Sequence, residues 1–210
     1  MIITKSNVVQ GVMIQHRDQH DFAQVESMLA KIASKGAGRS LLVNIQKSLR
    51  NGRTITIKTN RQQSFSAFAM LTKYQNINPF NQNRLSTQNL VRAFGLSSIK
   101  GGRPTEGTSA VVEIDPNASL QLNRYGVPTQ YKYGTQNTFL SLAHEMIHAL
   151  NILQGKRLGQ AFENVRDSAS KKLEEEMRTV GLGKYAGRIL SENSIRKEHN
   201  MPLRAAYFMQ

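Results

Sequence analysis

Residues 140–153 read LSLAHEMIHALNIL. This stretch constrains the fold more than any other, because it is apolar on almost every side yet carries His144, Glu145 and His148. A helix that is apolar nearly all round belongs in a protein interior. Two histidines and a glutamate cannot be buried there cheaply unless something satisfies them. On a helix, residues four apart lie on one face, one turn from each other. Both imidazoles can then reach one zinc ion, while Glu145 reaches a water on that ion rather than the ion itself. A zinc-held water has a pKa near about 7. The expected chemistry is therefore hydrolysis: Glu145 takes a proton from the water, the water attacks a peptide carbonyl, and Glu145 hands the proton to the leaving amine.

Such a site needs a third protein ligand. No cysteine is present, so the donors must be histidines or carboxylates. A closely following Gly and third His are absent, since Asn151 and Gln154 occupy those positions. His16, His20 and His199 stand in polar surroundings and read as surface residues. The segment KKLEEEMRTVGLG offers Glu174, Glu175 and Glu176 on an expected helix between Phe162 and Val180. Counting about 100° per residue from Val165, Glu176 falls inside the arc of Ala169, Leu173, Met177 and Val180, and the other two fall outside it. Glu176 is the first choice for third ligand and Glu175 the second.

The rest of the chain reads as α+β, with a small sheet early and helices late. Residues 1–20 are expected to be loose or to open on a short strand at Ile2–Thr4, and 21–210 to form a single metalloprotease domain. Helices are expected at 21–36 with Asp21 as cap, at 40–52, at 87–94, at 138–153 and from Ser191 to Asn200. RTITIKTN and TSAVVEIDPN alternate as strands. Residues 117–136, polar and tyrosine-bearing, form a long connection into the motif helix.

Residues 1–110 hold 15 Lys/Arg against 4 Asp/Glu, and residues 111–210 hold 13 against 10, out of a net charge of +14. That excess suits an acidic partner and raises a rival reading, a basic nucleic-acid-binding protein. No Gly-rich phosphate loop or base-reading module supports the rival. Two other rivals keep the zinc: a hydrolase of a non-kinase amide, and a zinc-stabilised structural protein. No apolar run approaches the roughly 20 residues of a membrane span. The N-terminus lacks the pattern of a cleaved signal peptide.

HEMIHALN, then EEEMRTVGL, then SENSIRKEHNMPLRAAY, in this order, resemble the NleD-like effector zinc metallopeptidases over about residues 105–210. The resemblance implies a compact zincin-like fold with a distant glutamate as third zinc ligand. His144 and His148 match the ligands, Glu145 the base, and Glu175 and Glu176 the acidic pair. It also implies delivery by type III secretion into the host cytoplasm and cleavage of stress-activated MAP kinases in the activation loop. Around that core, SAVVEID is a candidate edge strand for substrate pairing. Tyr125, Tyr131, Tyr133 and Tyr207 are candidate oxyanion donors. Arg196 and Arg204 are candidates to pair with active-site carboxylates or with an acidic or phosphorylated substrate segment. KSLRNGRTITI has a basic-then-apolar pattern suited to an acidic kinase docking groove.

Overall fold

In a computed structural model of the chain, residues 1–76, 83–134, 136–159 and 163–209 are described. The strands are β1 (Ile2–Lys5), β2 (Val12–His16), β3 (Ile55–Thr59), β4 (Ser66–Met70), β5 (Ser109–Ile114), β6 (Ala118–Leu122) and β7 (Pro128–Tyr133), with β-branched residues concentrated in β1, β2, β3 and β5. The helices are α1 (Gln19–Ala33), α2 (Gly36–Ser48), α3 (Thr87–Ser97), α4 (Thr138–Leu153), α5 (Lys171–Val180) and α6 (Glu192–Glu198). The main sheet has the order β1-β2-β3-β5-β4. β2, β3 and β5 run parallel, and the outer strands β1 and β4 are antiparallel to their neighbours. Val12, Ile14, Ile55, Ile57, Val112 and Ile114 are fully buried in it. A single buried apolar cluster runs from Val9 to Ile195 and joins both halves of the chain.

The first twenty residues open on a strand at the expected place, Ile2, rather than being loose. They supply β1 and β2, and β2 lies in the sheet interior beside β3. Its apolar alternation is only Val12 and Ile14, and its parallel partner is remote in sequence, so the segment alone gives a weak signal. His16, read as a surface residue, is buried between Thr4 Oγ1 and the Asp18 carbonyl, each at 2.9 Å. The cap of α1 is Asp18, whose side chain accepts from the Asp21 amide. Asp21 instead turns inward to Thr59 and Arg61. Residues 117–136 are not an open connection: they fold into the β6–β7 hairpin, with Thr135 outside the described residues. The helix expected between Phe162 and Val180 is α5, which begins only at Lys171 under a Ser170 cap, and Phe162 lies outside the described residues.

α4 has the expected bounds, and every residue in it except Thr138 and Ser141 is buried. It lies against β4, β5, α1, α2 and α6, so the sheet and helices enclose it on several sides. It stops at Gly155, which adopts a left-handed φ of 64°. A Cβ there would meet the Thr105 carbonyl oxygen at 2.2 Å. Gly155→Ala is therefore expected to cost about 2–4 kcal/mol, combining left-handed strain with a backbone clash. Urea unfolding at unchanged slope measures this; wild-type stability in the variant would contradict the close approach. Among the described residues, no helix is long and apolar enough to cross a membrane.

Candidate metal centre and active site

α4 and α5 together bring His144, His148 and Glu176 to one point. His144 Nε2 and His148 Nε2 are 3.2 Å apart, and Glu176 Oε2 lies 3.2 Å from the first and 3.0 Å from the second. The opposite ring nitrogens are already committed. His144 Nδ1 meets Glu192 Oε2 at 2.9 Å, and His148 Nδ1 meets Glu175 Oε1 at 3.2 Å. A carboxylate only accepts, so both Nδ1 atoms donate. In the neutral imidazoles the two Nε2 lone pairs then face each other and the Glu176 oxygen. Three acceptors converging in a buried place need positive charge between them, a proton or a metal ion.

The spacing fits a metal ion. Two ligands bound at zinc distances and tetrahedral angles sit about 3.3 Å apart. Two imidazole nitrogens and a carboxylate oxygen, without thiolates, also suit zinc chemically. The electrostatics agree. Desolvation pushes the His148 pKa down, but Glu176 and Glu175 outweigh it and hold it well above its ordinary value. His144 is likewise raised against its desolvation by Glu176 and Glu192. Desolvation pushes the Glu176 carboxyl up, and the two histidines hold it well below the usual range instead. The pocket favours positive charge where the three atoms meet.

A second layer holds these groups. Glu175 accepts from Asn151 Nδ2 at 2.9 Å, from the Leu158 amide at 3.0 Å and from Arg178. Glu192 accepts from Arg196 Nε at 2.7 Å and Arg204 Nη1 at 3.0 Å. Each histidine thus has a carboxylate behind it, and each of those carboxylates is backed by arginine, an arrangement that fixes ring orientation. Glu174 faces away, held down to about 2 by Lys171, Lys184 and Tyr185. The helical-phase argument put Glu175 outside the buried arc, whereas it is 2% exposed. A carboxylate paired to histidine and arginine can be buried without belonging to an apolar stripe.

Glu145 follows His144 on α4 and is 6% exposed. Among the described residues its carboxylate has no hydrogen-bond partner. Burial raises its pKa, and the neighbouring histidines offset this only in part. It lines a cavity of about 520 Å³ together with His144, His148, Glu176, Tyr131 and Tyr207. Burial raises the pKa of both tyrosines, so their hydroxyls stay protonated and able to donate. Tyr125 and Tyr133 are exposed and do not line the cavity.

Several expectations about substrate features are corrected here. SAVVEID is β5, which lies between β3 and β4 and has no free edge. The outer strand beside the cavity is β4, whose Ser66 and Ala67 line it. The basic-then-apolar stretch is no exposed docking peptide. Ile55 and Ile57 are fully buried in β3, and Arg53 donates to the Glu106 and Leu153 carbonyls. Arg196 and Arg204, by contrast, do pair with a carboxylate of the site, Glu192, as the first of their two expected roles had it, and are buried there. Glu192 itself had no assigned role in sequence, although its spacing of four from Arg196 is that of a helical ion pair.

Comparison with known proteins extends this picture. No curated protein matches the chain by sequence. Among solved structures, it is similar to the botulinum neurotoxin serotype HA light chain, with TM-score 0.50 and 14% identity over 95% of this chain and 62% of that one. The botulinum neurotoxin type D light chain gives TM-score 0.47 and 12% identity over 90% and 58%. The chain thus spans about three-fifths of the length of these structures, and at such identity the serotype HA likeness concerns the fold alone. The family model Peptidase_M91, described as an effector protein, matches residues 10–207, well beyond the 105–210 over which the motifs carry the resemblance. With a His/His/Glu cluster suited to a metal and a family match over nearly its whole length, the chain belongs to the Peptidase_M91 family of NleD-like effector zinc metallopeptidases.

Proposed function

We propose that His144, His148 and Glu176 hold one zinc ion, that Glu145 is the general base, and that the enzyme is an endopeptidase. The observation that carries this is the convergence of two imidazole nitrogens and one carboxylate oxygen within 3.2 Å of each other beside a cavity. When bound, zinc supplies Lewis-acid activation of water and of a carbonyl oxygen. Glu145 accepts a proton from the attacking water and delivers it to the amine nitrogen as the C–N bond breaks. Tyr131 and Tyr207 are placed in the cavity wall to donate to an oxygen that gains charge. The outer edge of β4 offers backbone groups to an extended peptide.

The substrate we propose is a host stress-activated MAP kinase, cut in its activation loop, with the enzyme delivered to the host cytoplasm. Membership of the NleD-like effector family supports this finer reading. Incubating the zinc-loaded protein with purified MAP kinases and mapping fragments by mass spectrometry tests it. One cut inside the activation loop is the expected result; intact kinases alongside cleavage of other proteins would replace the substrate and keep the peptidase.

Glu175→Ala provides a separate check on the ligand set. It removes the acceptor behind His148 while leaving all three proposed ligands. Zinc affinity should fall by about 10–100-fold without being abolished. Competition with a chromogenic chelator reads this; complete loss of zinc would make Glu175 the ligand in place of Glu176.

A further inference from the structure

The cavity wall carries positive charge that the reaction above does not use. Arg157, Arg166 and Lys172 all line the cavity. The backbone on either side of Arg157 is pinned: its amide donates to the Ser97 carbonyl at 3.1 Å, and its carbonyl accepts from the Ile99 amide at 2.9 Å. Its guanidinium rests over the Phe94 ring, 4.5 Å from the centroid. Among the described residues, none of the three side chains has a hydrogen bond or ion pair with a carboxylate.

Apart from Glu145, which the proposed reaction uses, and Glu163, which accepts from the Ser170 hydroxyl and the Lys172 amide, the nearby carboxylates are engaged elsewhere. Glu175 takes Arg178, Glu192 takes Arg196 and Arg204, and Glu176 faces the two histidines. Desolvation lowers the Arg157 pKa, and the fields of Glu175, Glu176 and Glu145 only partly restore it. A bound dication would add to the positive excess. A half-buried guanidinium that is held in place and open to a cavity without its own acid is a ready partner for an incoming anion.

We propose that Arg157, with Arg166 and Lys172 beside it, forms a subsite for an anionic side chain of the substrate, a carboxylate or a phosphate monoester. The inference rests on the peptidase reading of the cavity and adds to it a selectivity. Arg157 supplies a planar fork for two oxygens. Arg166 is exposed and lies 5.9 Å from the Phe208 ring, and Lys172 is half-buried in the first turn of α5. These two supply charge at the rim.

The test measures binding without turnover. Zinc-loaded protein carrying Glu145→Ala is titrated into fluorescein-labelled peptide pools whose central residue is fixed as Ala, Asp or phosphoserine. An anionic pool is expected to bind about tenfold more tightly than the Ala pool, the worth of one charge-assisted hydrogen bond. Preference for phosphoserine alone assigns a phosphate; preference for both assigns any anion. Adding Arg157→Gln should bring the ratio to within about twofold, whereas Arg157→Lys should retain part of it. Arg92→Gln removes the same charge from an exposed position on α3 and should leave the ratio unchanged. Equal binding of all pools, or a preference that survives Arg157→Gln, overturns the subsite. So does an equal loss in Arg92→Gln, which would reduce the effect to net charge. Should Arg157→Gln fail to fold, Arg166→Gln with Lys172→Gln decides instead: about a threefold loss supports the subsite and an unchanged ratio overturns it. Wild-type protein that cleaves no pool would count against the proposed catalytic roles, and the binding ratios would still decide the subsite.

Discussion

Glu145→Gln is expected to keep its zinc and to lose about 10²–10⁴-fold in kcat/KM for peptide cleavage. The expectation follows from what Glu145 does not do. It is buried on α4 between the two histidine turns, yet among the described residues its carboxylate braces nothing. Glutamine fills the same space, so packing and the three converging atoms are preserved. Only the capacity to take and return a proton is lost. Zinc content by mass spectrometry or atomic absorption, measured beside cleavage rate, separates the two effects. A variant that cleaves at the wild-type rate would place the base elsewhere. Indifference to Glu145 is also what a nucleic-acid-binding protein or a purely structural zinc protein predicts.

Glu192→Ala is expected to be the most destabilising single change at the site, costing about 3–5 kcal/mol. Glu192 is 2% exposed and receives Arg196, Arg204 and the His144 ring. Truncation leaves two buried guanidinium groups without their carboxylate and frees His144 to turn. Arg204 also donates to the Tyr207 and Ala206 carbonyls, so this irregular C-terminal segment of the cavity wall should loosen with it. A cost of this size is a large part of an ordinary domain's 5–15 kcal/mol. Glu192→Gln should lose less, because it keeps the volume and one acceptor oxygen. Denaturant midpoints of the two variants check the order. Equal, small losses would mean that solvent reaches and satisfies these arginines.

What the sequence disclosed and what it hid follow from the range of each interaction. α4 is legible because sixteen consecutive residues carry one unbroken apolar pattern and a motif with its own chemistry. β3 and β5 are legible from β-branched alternation. β4, with the sequence SAFAM, is not: it has no β-branched residue, and only pairing with β5 makes it a strand. The same long-range pairing buries SAVVEID and makes β4 the outer strand of the sheet among the described residues. Helical phase selected Glu176, but the count began at Val165, before α5 begins, and it missed that Glu175 is the more deeply buried of the two. Periodicity finds apolar faces; it cannot find a carboxylate buried by a histidine and an asparagine of a distant helix together with an arginine on its own helix. The basic excess of the first half has no such local signature, and Arg157, the cation of greatest interest, lies outside it.

Anomalous diffraction at the zinc edge from crystals of the zinc-loaded wild-type protein tests the central claim most directly. The account predicts one peak in contact with His144 Nε2, His148 Nε2 and a Glu176 oxygen, and with no fourth protein side chain. A peak bound through Glu175, a site closed by a fourth protein ligand, or no peak at these residues would contradict it.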